Sequence, residues 1–172
     1  MTRKPVITFA VLVVLVWASM ISFGAVLAET VLLYPNIFRD PPGSLVLARE
    51  FMVAGAPSDF FPPLGMAVVL SAAAASVLTW RTRPVQWWIV GAAITFICCD
   101  FVFSAVFFWP RNTIMFVDPV GTHPAEHLRL VAAQFEAGHW VRVAGAAATA
   151  ALSFVGLLRF HRTQVAPTPD AP

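Results

Sequence analysis

"PVITFAVLVVLVWASMISFGAVLA", residues 5–28, contains no charged side chain. A helix of that length rises roughly 36 Å at 1.5 Å per residue, enough to cross the ~30 Å hydrocarbon core of a bilayer. Arg3 and Lys4 precede the run. A basic start followed by an apolar stretch is also how a signal peptide begins, and "GAVLA" before Glu29 would permit cleavage. The apolar core of a signal peptide is ordinarily about 7 to 15 residues, so an uncleaved first membrane helix is the preferred reading.

Three more runs repeat the pattern. Residues 60–80, "FFPPLGMAVVLSAAAASVLTW", are uncharged, with Pro62 and Pro63 expected in the first turn and Arg81 and Arg83 closing the run. Residues 85–108 open with Trp87 and Trp88 as expected interface anchors and carry Asp100 as their only charge. Residues 139–160 have Trp140 at one end, with Arg159 and Arg162 marking the other. Over the whole chain 59% of residues are hydrophobic and 12% charged, against roughly 25% charged in an ordinary soluble domain. Mean hydropathy is +0.77. Buried helices of soluble bundles are seldom this long and apolar on every face. The expected fold is therefore all-α: a four-transmembrane-helix bundle forming one domain over residues 1–162, with short helices in two outer loops. The Pro-rich stretch 163–172, "TQVAPTPDAP", is expected to be a disordered cytoplasmic tail.

Basic residues orient this bundle. Arg3 and Lys4, Arg81 and Arg83, and Arg159 and Arg162 all fall on one side after an even number of crossings. The positive-inside rule makes that side cytoplasmic, so both termini are expected inside a cell membrane, with loops 29–59 and 109–138 outside. In the first loop Ser44 is expected to cap a helix through residue 54. In the second, a helix from Pro124 carries the apolar stripe Leu128, Val131, Ala132 and Phe135, and is expected to run through Gly138 into the fourth span. Cys98 and Cys99 are neighbours that point apart on a helix, which disfavours a mutual disulfide. A formal charge of +2 and the lack of a basic aromatic patch argue against a nucleic-acid partner.

Ionisable residues concentrate in "GTHPAEHLRLVAAQFEAGHWVR", residues 121–142. His123, Glu126 and His127 spell H-x-x-E-H, an inverted zinc-protease pattern, but Pro124 places His123 at or before the helix start. His127 and His139 are twelve residues apart, about 120° around an ideal helix. A transition metal held by His123, Glu126, His127, Glu136 and His139 is one candidate arrangement, and a polar cap over the bundle is the other. Imidazole suits iron, copper and zinc alike, so the cofactor reading stays open between none and one transition metal. Asp100 is expected about 12 Å below the outer end of its span, where a carboxylate must face the bundle interior or a water-filled cavity.

"FFWPRNTIM" at the end of the third span and "HWVRVAGAAATAALSF" at the start of the fourth resemble the small integral-membrane family that includes anthrone oxygenase-like proteins. Pro110, Arg111 and Asn112 match its Pro-x-Asn segment, while Trp140 and Arg142 correspond loosely to its Trp-to-Arg helix start. The resemblance implies a four-helix membrane protein that oxidises an aromatic substrate, with Asn112 and Arg142 as polar groups at the outer rim. The resulting expectation is a membrane oxidoreductase or monooxygenase. Asp100 or His139 would accept a proton from a lipophilic aromatic entering an outer-leaflet pocket. Asn112 and Arg142 would stabilise the developing enolate or phenolate, which oxygen then attacks. Two alternatives remain: an accessory subunit, working with the bilayer and a partner subunit or a second copy, and a small-molecule transporter. The chain has no nicotinamide fingerprint and no CxxCH haem motif.

Overall fold

A computed structural model describes residues 3–165 of the chain. It is all-helical, with 87% helix and no strand among the described residues. Four helices are long and apolar enough to cross a membrane: α1 Lys4–Ile37, α3 Pro57–Leu78, α4 Arg83–Val117 and α5 Ala125–Val165. A short helix, α2 Gly43–Phe51, lies between the first two.

Three of these helices outrun the apolar segments that announce them. α1 is 34 residues, α4 is 35 and α5 is 41, the last about 60 Å long at 1.5 Å per residue. The stretches expected as outer loops are therefore largely helical extensions. Their reason to stay helical is a second core. Leu128, Val131, Ala132 and Phe135 of α5 pack with Tyr34, Ile37 and Phe38 of α1, Leu45 and Ala48 of α2, and Phe108 and Met115 of α4. A separate core of Leu12, Leu15, Val68, Ala72, Ala75, Val85, Ile89, Phe96 and Phe160 fills the opposite half. α5 passes through Gly138 without interruption and continues to Val165, into the stretch read as a tail. The rest of that stretch, residues 166–172, lies outside the described residues.

Two local expectations are corrected. Pro62 and Pro63 are not in the first turn of α3, because the Asp59 carboxylate accepts the Ala56 backbone N–H at 2.9 Å and the helix starts at Pro57. The prolines thus forgo bonds to carbonyls four residues back, still within the helix's opening turns. Ser44 does not cap α2. Its hydroxyl accepts the Asp40 N–H at 3.2 Å and closes the preceding turn, while the helix begins one residue earlier at Gly43.

The helices run antiparallel in chain order, so Lys4, Arg81, Arg83, Arg159 and Arg162 gather at one end. α4 and α5 approach closely because α5 presents glycines to bulkier neighbours. A Cβ on Gly138 would collide with Phe107, one on Gly145 with Cys99, and one on Gly156 with Ile89. Small residues of this kind let helix backbones come together where apolar surroundings supply no hydrophobic drive. α3 is peripheral: 17% of its most apolar window is buried, against 39% for α1 and for α5.

α1 and α4 also depart from regular α geometry. Wide turns with i→i+5 bonds occur at Glu29–Leu33, where Tyr34 N–H donates to Glu29 O, and at Ile97–Val102, where Phe103 N–H donates to Cys98 O. Two more follow in α4, at Ser104–Phe108 and Thr113–Val117. Such turns insert a residue and rotate the following side chains, and they recur at functional sites.

Candidate functional site

Between the two apolar cores lies a layer of polar side chains. α1 contributes Glu29, Thr30 and Tyr34, α4 contributes Asp100, and α5 contributes His139 and Arg142. Glu29 and Asp100 each sit in one of the wide turns. In α1 the wide turn lets two consecutive polar residues, Glu29 and Thr30, both be buried. Asp100 is the central residue of α4, a helix that runs on past Phe108 to Val117.

The groups are linked but incompletely satisfied. Tyr34 donates its hydroxyl to Glu29 Oε1 at 3.3 Å. Thr30 Oγ1 lies 3.1 Å from His139 Nδ1, and Arg142 Nη1 lies 3.5 Å from His139 Nε2. Arg142 Nε faces Asp100 Oδ1 at 3.9 Å, an ion-pair separation too long for a hydrogen bond. The guanidinium also lies 5.4 Å from the ring centroids of Phe61 on α3 and of Phe108 on α4. The side chains of Arg142 and Asp100 are 13% and 6% exposed, so little solvent screens this pair. Among the described residues, six buried side-chain atoms lack a hydrogen-bond partner within the protein. Four belong to this layer: Glu29 Oε2, both Asp100 carboxylate oxygens and Arg142 Nε. Buried polar atoms are nearly always paired, and their clustering marks a place where protein alone does not complete the chemistry.

The outer end of the bundle is different. His123 Nε2 meets Asp118 Oδ2 at 2.6 Å, and the His123 and His127 rings are 5.5 Å apart. Glu126 and His127 are exposed, and Glu136 is half-buried. His127 and His139 lie about 18 Å apart along the continuous α5, so the five residues considered for a metal are not drawn into one group. Among the described residues no set of three or more His, Cys, Asp and Glu side chains is placed to hold a metal ion. Asn112 is half-buried near the outer end of α4, twelve residues beyond Asp100. The contacts that gather Asp100, His139 and Arg142 into one layer, an ion pair at 3.9 Å and a hydrogen bond at 3.5 Å, do not include Asn112. Arg111 beside it donates to Gln134 Oε1 and Phe107 O and stacks 3.7 Å over the Phe107 ring.

The best-formed cleft is also at the outer end, lined by Pro42, Leu45, Arg49, Ile114, Asp118 and His123 among others. Its volume of about 20 Å³ suits one water rather than an aromatic molecule. The polar layer does not line it. Sequence reasoning singled out Asp100, His139 and Arg142, but Glu29, Thr30 and Tyr34 were not among its candidate site residues. The available signal was Glu29-Thr30 itself, a polar pair directly after the 5–28 apolar run, followed by more helix-compatible residues.

With that geometry in view, comparison with known proteins yields no matching family model, no matching curated protein and no matching solved structure.

Proposed function

We propose that this chain is a multi-pass membrane protein, with both termini cytoplasmic, whose polar layer exchanges a proton with a small lipophilic aromatic guest in the course of its oxidation. The membrane reading is supported by the apolar side chains the bundle leaves outside. Trp17, Leu70, Val77, Trp87 and Val106 are each more than 60% exposed on helices of membrane-spanning length. The orientation follows from the basic residues gathered at one end.

One observation carries the functional part: four unpartnered buried atoms, from Glu29, Asp100 and Arg142 on three helices, belong to a single layer. Intramembrane ionisable groups are expensive, and they are retained where they bind or transfer something. In the proposed reaction Asp100 receives a proton from an acidic C–H or O–H of the guest. Arg142 steadies the resulting enolate or phenolate, which adds through carbon to molecular oxygen; the proton held by Asp100 returns to the peroxide so formed, and loss of water leaves one oxygen atom on the guest as a carbonyl and releases the other as water. The reaction class comes from the family resemblance, while the proton-handling role comes from the layer.

The test is turnover of a lipophilic phenolic or anthrone-type substrate by purified protein, compared with Asp100→Asn. The amide keeps the shape and removes the proton acceptor. A loss of roughly 100-fold or more per folded molecule is expected, the usual scale for general acid–base participation. Near-normal turnover would refute the role.

A second reading has its own support. Arg142 reaches Phe61 on α3, Asp100 on α4 and His139 on its own helix. An accessory subunit would use the layer to tie helices together. It would then tolerate Asp100→Asn, remain inactive alone and co-purify with a larger assembly.

A further inference from the structure

We infer that Thr30 is a positioning residue: it holds His139 with its proton on Nδ1, so that the Nε2 lone pair is presented to the polar layer. Two partners on different helices require the same arrangement. Thr30 Oγ1 lies 2.7 Å from the Val26 carbonyl oxygen, which can only accept. The single hydroxyl proton is therefore committed to Val26. Towards His139 Nδ1, 3.1 Å away, the Thr30 oxygen can only accept, so Nδ1 donates. At the opposite edge of the ring, Arg142 Nη1 stands 3.5 Å from Nε2. A guanidinium has no acceptor, so Nε2 meets it as a lone pair.

The ring has no room to turn over and exchange these roles. His139 is 0% exposed. Tyr34 packs against it at 4.4 Å between centroids, Phe108 meets it edge-on at 4.8 Å, and Phe135 stacks on it at 5.2 Å. The wide turn at Glu29–Leu33 contains Thr30, so the irregularity in α1 acquires a purpose: it sets the hydroxyl beside Nδ1. A ring nitrogen's role is generally fixed by the hydrogen bond its other nitrogen makes. The consequence for the site is an acceptor of constant direction. Nε2 directs its one lone pair at Arg142 Nη1 and so helps to set the guanidinium that faces Asp100 and steadies the guest's anion. That role rests on the proposed function; the tautomer does not.

Nitrogen-15 NMR of the full chain in lipid nanodiscs tests both. The chain has four histidines, and His139 is assigned by the signals lost in His139→Gln. The wild-type ring is expected to show a protonated Nδ1 and an unprotonated Nε2. Thr30→Val, which removes the acceptor at constant shape, should yield a mixture of tautomers, and Thr30→Ser should restore the wild-type pattern. Turnover should fall roughly 10–100-fold in Thr30→Val, the scale typical of groups that orient a functional histidine, and recover in Thr30→Ser. A wild-type proton on Nε2 would overturn the inference, and so would a tautomer unchanged in Thr30→Val. Should Thr30→Val fail to fold, the wild-type and Thr30→Ser spectra still decide. The expected tautomer together with an active Asp100→Asn variant would sink the proposed function alone.

Discussion

His123 and His139 are sixteen residues apart, yet they occupy opposite physical environments. His123 pairs with Asp118 at the outer end, with side chains 24% and 30% exposed. His139 is closed off from solvent and bonded between Thr30 and Arg142. Both lie in the same polar-rich stretch of the sequence, residues 121–142. Water near the first supplies whatever hydrogen bonds the protein omits. The second has only its neighbours, so each of its contacts has consequences for stability and tautomer. Polar density along a chain is thus a poor guide to where chemistry is concentrated; burial without completed partners is the better one.

The sharpest way to break this contrast is to remove the cation from the layer. Arg142→Met leaves Glu29 and Asp100 buried without their counter-charge. Breaking a buried pair on one side costs about 3–5 kcal/mol, which should appear as a large drop in thermal or denaturant midpoint in detergent. A change under ~1 kcal/mol would mean that the layer is far wetter than its packing suggests.

A smaller effect is expected where α5 meets α4. Gly145→Ala sets a new Cβ against Cys99 Cβ, and overpacking of this sort costs about 1–3 kcal/mol. Gly24→Ala is the control, since nothing lies within 4 Å of its added Cβ; it should match or slightly exceed wild-type stability because alanine is the better helix former. Equal melting of the two variants would show that the seam has slack, and that the layer's geometry is not held by close helix contact.

The smallest effect belongs to the outer pair. His123→Ala removes a partly exposed ion pair, and such pairs are worth about 0–1 kcal/mol. Stability should stay within that range, and turnover of the polar-layer reaction should be unaffected. A loss of activity comparable to that of Asp100→Asn would move the functional centre outward and reverse the comparison.

The four long helices were legible because length and apolarity are local properties. Residues 5–28 announce a helix whatever surrounds them, and Asp100 stands out as the lone charge of its span. The stripe Leu128, Val131, Ala132 and Phe135 likewise gave a helical face that the structure buries. The ends of these helices were not legible. Nothing in residues 29–37 by itself favours helix over loop; they stay helical because Tyr34, Ile37 and Phe38 pack on Phe108 and Phe135. Pro62 and Pro63 misled for a similar reason, since the Asp59 side chain, bonding back to Ala56, sets where α3 begins.

The candidate site divides in the same way. The sequence by itself determined that a carboxylate must lie within the third span and that a histidine and an arginine open the fourth. Which polar groups meet was decided by tertiary structure alone. The wide turns change the phase of α1 and α4, the glycines of α5 set how near α4 comes, and antiparallel packing brings Thr30 within 3.1 Å of His139, across 109 residues of chain. A helical period fixes directions only along an unbroken helix. Once a turn widens by one residue, every later side chain points elsewhere, and only the packed neighbours reveal where.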